Sequence, residues 1–112
     1  MNEFDLLTEI EDHGIKYAEN KVEYDYLKKC LDIELEELKS EVAIAYPGAS
    51  EATLKRKAIK NPDYRKLLKR IRTHQKEYLV ADAKLKRLIT YKEFLNAKNN
   101  LTISKINKGI DV

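Results

Sequence analysis

Arg65, Lys69, Arg72 and Lys76 recur at steps of four, three and four, which puts four cations on one stripe if the segment is helical. Arg87 falls on the same stripe three turns further on, and Lys66 and Arg70 lie beside it. Residues 55–76 hold ten Lys or Arg against one acid, Asp63, and none at all between Tyr64 and Lys76. A merely solvated helix face normally mixes acids among its bases, so this stripe reads as an anion-binding face, with simple solvation as the competing reading. Side chains about 5–6 Å apart on a helix are spaced comparably to successive phosphates of an extended strand, and such a face would hold that backbone without reading its sequence. Lys55, Arg56, Lys57 and Lys60 would widen the patch. Of the seven tyrosines, Tyr46 and Tyr64 stand nearest to it and offer rings for unpaired bases. Single-stranded nucleic acid, DNA or RNA, is the expected ligand.

Other chemistry finds little support. The two histidines, His13 and His74, have no neighbouring nucleophile, so helix capping and core-edge packing explain them better than catalysis. Glu34, Glu37 and Glu41, like Glu9 and Asp12, share helix faces, but a hard cation wants oxygen ligands from a dedicated loop or several helices, and a solvated acidic face is expected. There is no Gly-rich phosphate loop and no Cys/His array. Neither an enzyme nor a metal or other cofactor is expected. The single cysteine, Cys30, excludes an internal disulfide and suits a reducing compartment, so the cytoplasm is the expected location. No run of eighteen apolar residues occurs, the beginning of the sequence is acidic where a signal peptide would be basic, and the basic face lacks a bulky apolar rim. No membrane partner is expected.

The elements that would carry the stripe are helices. Charged residues make up 37% of the 112, with three Gly, two Pro and no Trp, a composition typical of long solvated helices. Residues 1–49 balance to −8 and residues 50–112 to +11, so the chain is electrically two halves. That division points to an anionic partner for the second half or to attraction between the halves. From Ile15 to Ala45 there is neither Gly nor Pro, and Tyr24, Leu27, Leu31, Leu35, Leu38, Val42 and Ala45 recur every three or four residues. This predicts a long acidic helix over 15–45, preceded by a short helix over 1–14 that Gly14 closes. Pro47 and Gly48 write a turn, Ser50 caps a short basic helix within 46–61, and Asn61 with Pro62 starts a second long helix. That helix is predicted over 62–98, with a loosely ordered tail over 99–112 whose Leu101, Ile103, Ile106 and Ile110 could add a strand or dock on a partner. The expected fold is all-α: one domain, a long antiparallel helical hairpin with a short N-terminal helix and a short helix in the connection.

The first long helix has more apolar surface than one neighbour can cover. Ile15, Val22, Tyr26 and Ile33, with Ile44, form a second stripe nearly opposite the leucines, with Cys30 at its border. Another copy of the chain, or the short N-terminal helix with Phe4, Leu7 and Ile10 folded over it, would bury this stripe, and self-association into a homo-oligomer is the favoured expectation. On the second helix, Gln75 and Asp82 fall on the core line of Ile71, Tyr78, Leu85 and Ile89. Either they fix register in a seam, or the pattern slips and both reach solvent.

An acidic long helix, a Tyr-containing break, a short basic helix and then "NPDYRKLLKRIRTHQKEYLVADAKLKRLITYKEFL" together resemble the small phage recombination mediators of the UvsY type, over roughly residues 16–98. The resemblance lies in element lengths, charge order and a Tyr-bearing basic helix. It implies an oligomeric, non-catalytic accessory protein that binds single-stranded DNA and helps a recombinase replace a single-strand-binding protein, with Arg65, Lys66, Lys69, Arg70, Arg72 and Lys76 as backbone contacts. The rival expectation is a small helical adaptor or inhibitor that binds a host or phage protein through its acidic helix.

Overall fold

The computed structural model describes the backbone of residues 2–107 and the side chains of residues 2–103. Three helices account for nearly all of it: α1 (Glu3–Ala45), α2 (Glu51–Ala58) and α3 (Pro62–Asn107). The fold is all-α, with a short helix in the connection between two long ones. Its helix starts follow local chemistry. Asn2 caps α1 by accepting from the Asp5 amide at 2.8 Å, Ser50 caps α2 through the Thr53 amide at 3.2 Å, and Asn61 caps α3 through the Asp63 amide at 2.8 Å. Pro62 takes the first position of α3, where a missing N–H costs nothing. Between α1 and α2 the Ala49 amide donates to the Tyr46 carbonyl across Pro47 and Gly48, and Gly48 has a φ of 81°. Pro at the second and a left-handed Gly at the third position make this a type II turn.

Two expected boundaries are corrected. The short N-terminal helix over 1–14 does not exist as a separate element, because α1 runs unbroken through Gly14. One interior glycine costs a helix about 1 kcal/mol relative to alanine, which forty-three residues of continuous helix absorb. The second correction concerns the tail. α3 continues past residue 98 to Asn107, since no Gly or Pro interrupts it and Thr102 satisfies its hydroxyl within the helix by donating to the Lys98 carbonyl at 3.2 Å. Leu101 and Ile103 therefore sit on a helix; the Ile106 side chain and all of Ile110 lie outside the described residues. An added Cβ at Gly14 meets nothing within 4 Å, so Gly14→Ala is expected to stabilise by about 0.5–1 kcal/mol. Thermal unfolding followed by circular dichroism should show the midpoint rise by several degrees.

The chain forms two compact units, each crossed by both long helices. One unit, Ala18–Tyr78, holds the rest of α1, all of α2 and the start of α3. There Leu27, Leu38, Ala58 and Ile71 are buried, with Tyr24, Leu31, Leu35 and Val42 half-buried beside them. His74 Nδ1 lies 2.9 Å from Asn20 Oδ1, and since a carbonyl oxygen only accepts, the imidazole donates from Nδ1. Arg70 faces Glu23 at 3.8 Å, and the rings of Tyr24 and Tyr78 are 5.2 Å apart with Lys21 over both. From Asn20–His74 to Glu23–Arg70 the partner descends along α3 as the position rises along α1, so these two segments run antiparallel within this unit. The other unit joins the beginning of α1, through Tyr17, to α3 from Leu79 onward. Among its described residues Leu6 and Ala81 are buried, and Asp82 is held by Lys86 of its own helix at 2.9 Å. That bond also raises the Lys86 pKa above its usual 10.5. Asp82 thus keeps a partially exposed, paired carboxylate at the edge of the core line, and Gln75 is likewise half-buried.

The core is small. Among the described residues six side chains are buried, all apolar, while more than twice as many large apolar side chains are exposed. The leucine stripe of α1 faces inward, with Leu27 2% and Leu38 6% exposed. Its second stripe faces outward: Val22 is 69% exposed, Ile33 61% and Ile44 82%, and Ile15 and Tyr26 are exposed as well. Because α1 does not break at Gly14, Phe4 and Leu7 cannot fold back over that stripe.

Candidate nucleic-acid interface

The cationic segment divides between α2, the short link at Lys60 and about the first four turns of α3, and their packing decides which charges meet. Ser50 sets the start of α2 and the small, fully buried Ala58 lets it approach closely. Lys39 of α1 then ties down its first turn through a salt bridge to Glu51, while also reaching Glu36 at 3.1 Å. The bond to Glu51, then that to Glu36, raises the Lys39 pKa above 10.5. A raised lysine stabilises the fold below its unfolded pKa, so this tether is complete at neutral pH and is lost only as pH climbs through the raised value.

With α2 held there, a groove of about 680 Å³ opens between it and α3, lined by Lys55, Ile59, Tyr64, Arg65, Leu68, Lys69 and Arg72. Four cations from two helices border it, and among the described residues no acid does. Its remaining lining is apolar or aromatic: Ile59, Leu68 and Tyr64, all half-buried. At about 100° per residue, Tyr64 and Leu68 occupy the flank of α3 between its core line and its cationic stripe. This is the side against which α2 packs. The arrangement can hold a flexible polyanion by charge while offering apolar surface between the charges.

Other expected site residues are placed elsewhere. Arg56, Lys60, Lys66 and Lys76 are exposed outside the groove lining. Arg70 points to the opposite flank, toward Glu23 of α1. Lys57 sits over the ring of Tyr46 at 4.3 Å, so this stacking candidate already has a cation on one face, and neither residue lines the groove. Arg87 belongs to the other unit, where with Glu9, His13, Lys84 and Leu88 it borders a smaller cleft of about 220 Å³. An acid and two bases share that cleft, which makes it a poor polyanion site. Ile59 and Leu68 were not expected as site residues. Their signal was present in the sequence, as apolar residues facing each other across the Asn61–Pro62 break, but only the docking of α2 shows that they share a floor.

On the exposed stripe of α1, a hydrogen bond with Cys30 is the main cause holding the Tyr26 hydroxyl above its usual 10.0, and Arg70 opposes it. The phenol is therefore neutral at physiological pH and the stripe stays uncharged at that point. Among the described residues no three of His, Cys, Asp and Glu come together as a metal site, and no helix is long and apolar enough to cross a membrane.

Fold and site together define a small all-α protein with a cationic, apolar-floored groove between its short helix and its second long helix. Comparison with protein-family models, with curated proteins and with solved structures finds no match to this chain.

Proposed function

We propose that this protein is a non-catalytic accessory protein that binds single-stranded DNA as a homo-oligomer and assists a recombinase in displacing a single-strand-binding protein, in the manner of a recombination mediator. One observation carries the reading: Lys55, Arg65, Lys69 and Arg72 converge on one groove from two helices with no acid among its lining residues. A face meant only for solvation has no need to gather cations from separate elements. The resemblance to phage mediators of the UvsY type supports the recombination context, through the charge order of residues 16–98.

Assembly is the second part of the proposal. The exposed stripe of α1 repeats at steps of seven and four over Ile15, Val22, Tyr26 and Ile33, and Ile44 keeps the same phase. A stripe with that period suits a second α1 laid alongside it, and joining copies would supply the apolar burial that the small core lacks. Several grooves on one assembly would also bind one strand together, with an avidity that no single groove has.

The functional test is loading of a recombinase onto DNA already coated with single-strand-binding protein. Adding this protein should shorten the lag before recombinase filaments form, while the protein by itself hydrolyses no nucleotide. An unchanged lag, or stimulation that survives loss of DNA binding, would favour a protein adaptor acting through the acidic face of α1, where Glu37 and Glu41 are exposed and Glu34 is half-buried.

A further inference from the structure

We propose that the groove between α2 and α3 takes one unstacked nucleobase, seated on Tyr64 and Leu68, while Lys55, Arg65 and Arg72 hold its flanking phosphates. The inference rests on the polyanion reading above and goes beyond it, because a site for phosphates alone needs no apolar floor. Here the apolar side chains lie among the cations. The half-buried Tyr64 ring belongs to the groove lining, whereas the more exposed Tyr46 is engaged by Lys57 and lies outside it.

Lining chemistry separates the possible occupants. About 680 Å³ falls within the roughly 300–1,000 Å³ common for sites that take a small ligand. A peptide helix in a groove is held by apolar anchors spread over two turns or more, whereas here three apolar or aromatic side chains are interleaved with four cations. A planar base with a phosphate on either side fits both the volume and the alternation of apolar floor and cationic rim. Duplex DNA cannot present such a base without unpairing it, so the groove would favour single strands over duplex by more than charge density dictates.

The test compares a labelled thymidine oligonucleotide with an abasic strand of equal length and equal phosphate count, at low salt and with the full-length protein. The abasic strand should bind at least about fivefold more weakly, the lower end of what one stacked base contributes. Tyr64→Leu should erase the difference between the two strands, and Tyr64→Phe should preserve it. A strand carrying 2-aminopurine gives a readout on the unsubstituted protein, since its fluorescence should change on binding if a base leaves the stack. Equal affinity for the two strands together with unchanged 2-aminopurine fluorescence would overturn the base slot while leaving the phosphate reading intact. Failure of both strands to bind would remove both. Displacement of the strand by an acidic amphipathic peptide at lower concentration than by free oligonucleotide would assign the groove to a protein partner.

Discussion

Reversing Lys55, Arg65, Lys69 and Arg72 to Glu should lower affinity for single-stranded DNA by at least about 100-fold at low salt, since four attractions become four repulsions along one groove. The last three lie on the exposed side of α3 and Lys55 is exposed on α2, so the core built on Leu27, Leu38 and Ile71 is untouched. Helicity by circular dichroism should be retained. Lys76 is left alone in this variant because it stands outside the groove, and reversing it singly should have a much smaller effect. Changing Glu34, Glu37 and Glu41 to Lys is the matching control, expected to spare DNA binding and to impair any partner that uses the acidic face of α1. If the groove variant keeps its DNA affinity, the cations are a solvated face.

Ile33→Glu is expected to break the assembly. Ile33 is exposed and lies at the middle of the outward stripe, so the substitution costs the single chain almost nothing yet would bury a charge between copies. Light scattering at micromolar concentration should show an oligomer for the unsubstituted protein and a smaller species for the variant, both fully helical. A monomeric, helical unsubstituted protein would contradict self-association. If assembly gathers several grooves on one strand, DNA affinity should fall with it, by about 100-fold or more if avidity has its usual range.

Much of the fold was legible because it is written in local chemistry. Asn61 and Pro62 place the start of α3, Ser50 places that of α2, and the spacing of Leu27, Leu31, Leu35 and Leu38 assigns the inward face of α1. Gly14 misled because a glycine after "EDH" looks like a C-cap, whereas no left-handed residue closes a helix there and the helix tolerates the cost. The end of α3 was hidden for a similar reason: "NNLTIS" is poor in helix formers, but weak propensities without a breaker do not stop a helix already running. For the site, the charges were visible and their grouping was not. Arg65, Lys69, Arg72 and Lys76 share a stripe by periodicity, yet Lys55 joins three of them and Lys76 does not, because membership depends on where α2 docks. Arg70, placed beside the stripe in the sequence, turns to Glu23 on the far flank.

The central claim is that the cationic groove holds a phosphate backbone, and the most direct measurement is the salt dependence of single-stranded DNA binding by the unaltered protein. A slope of about −0.7 in log K against log salt is expected for each phosphate neutralised on a single strand, so four groove cations give about −3 for each groove that engages the strand. Between 50 and 200 mM salt that amounts to a loss of roughly 50-fold per engaged groove, with little difference between unrelated sequences. Absence of binding at 50 mM, or an affinity that hardly changes across that range, would contradict it.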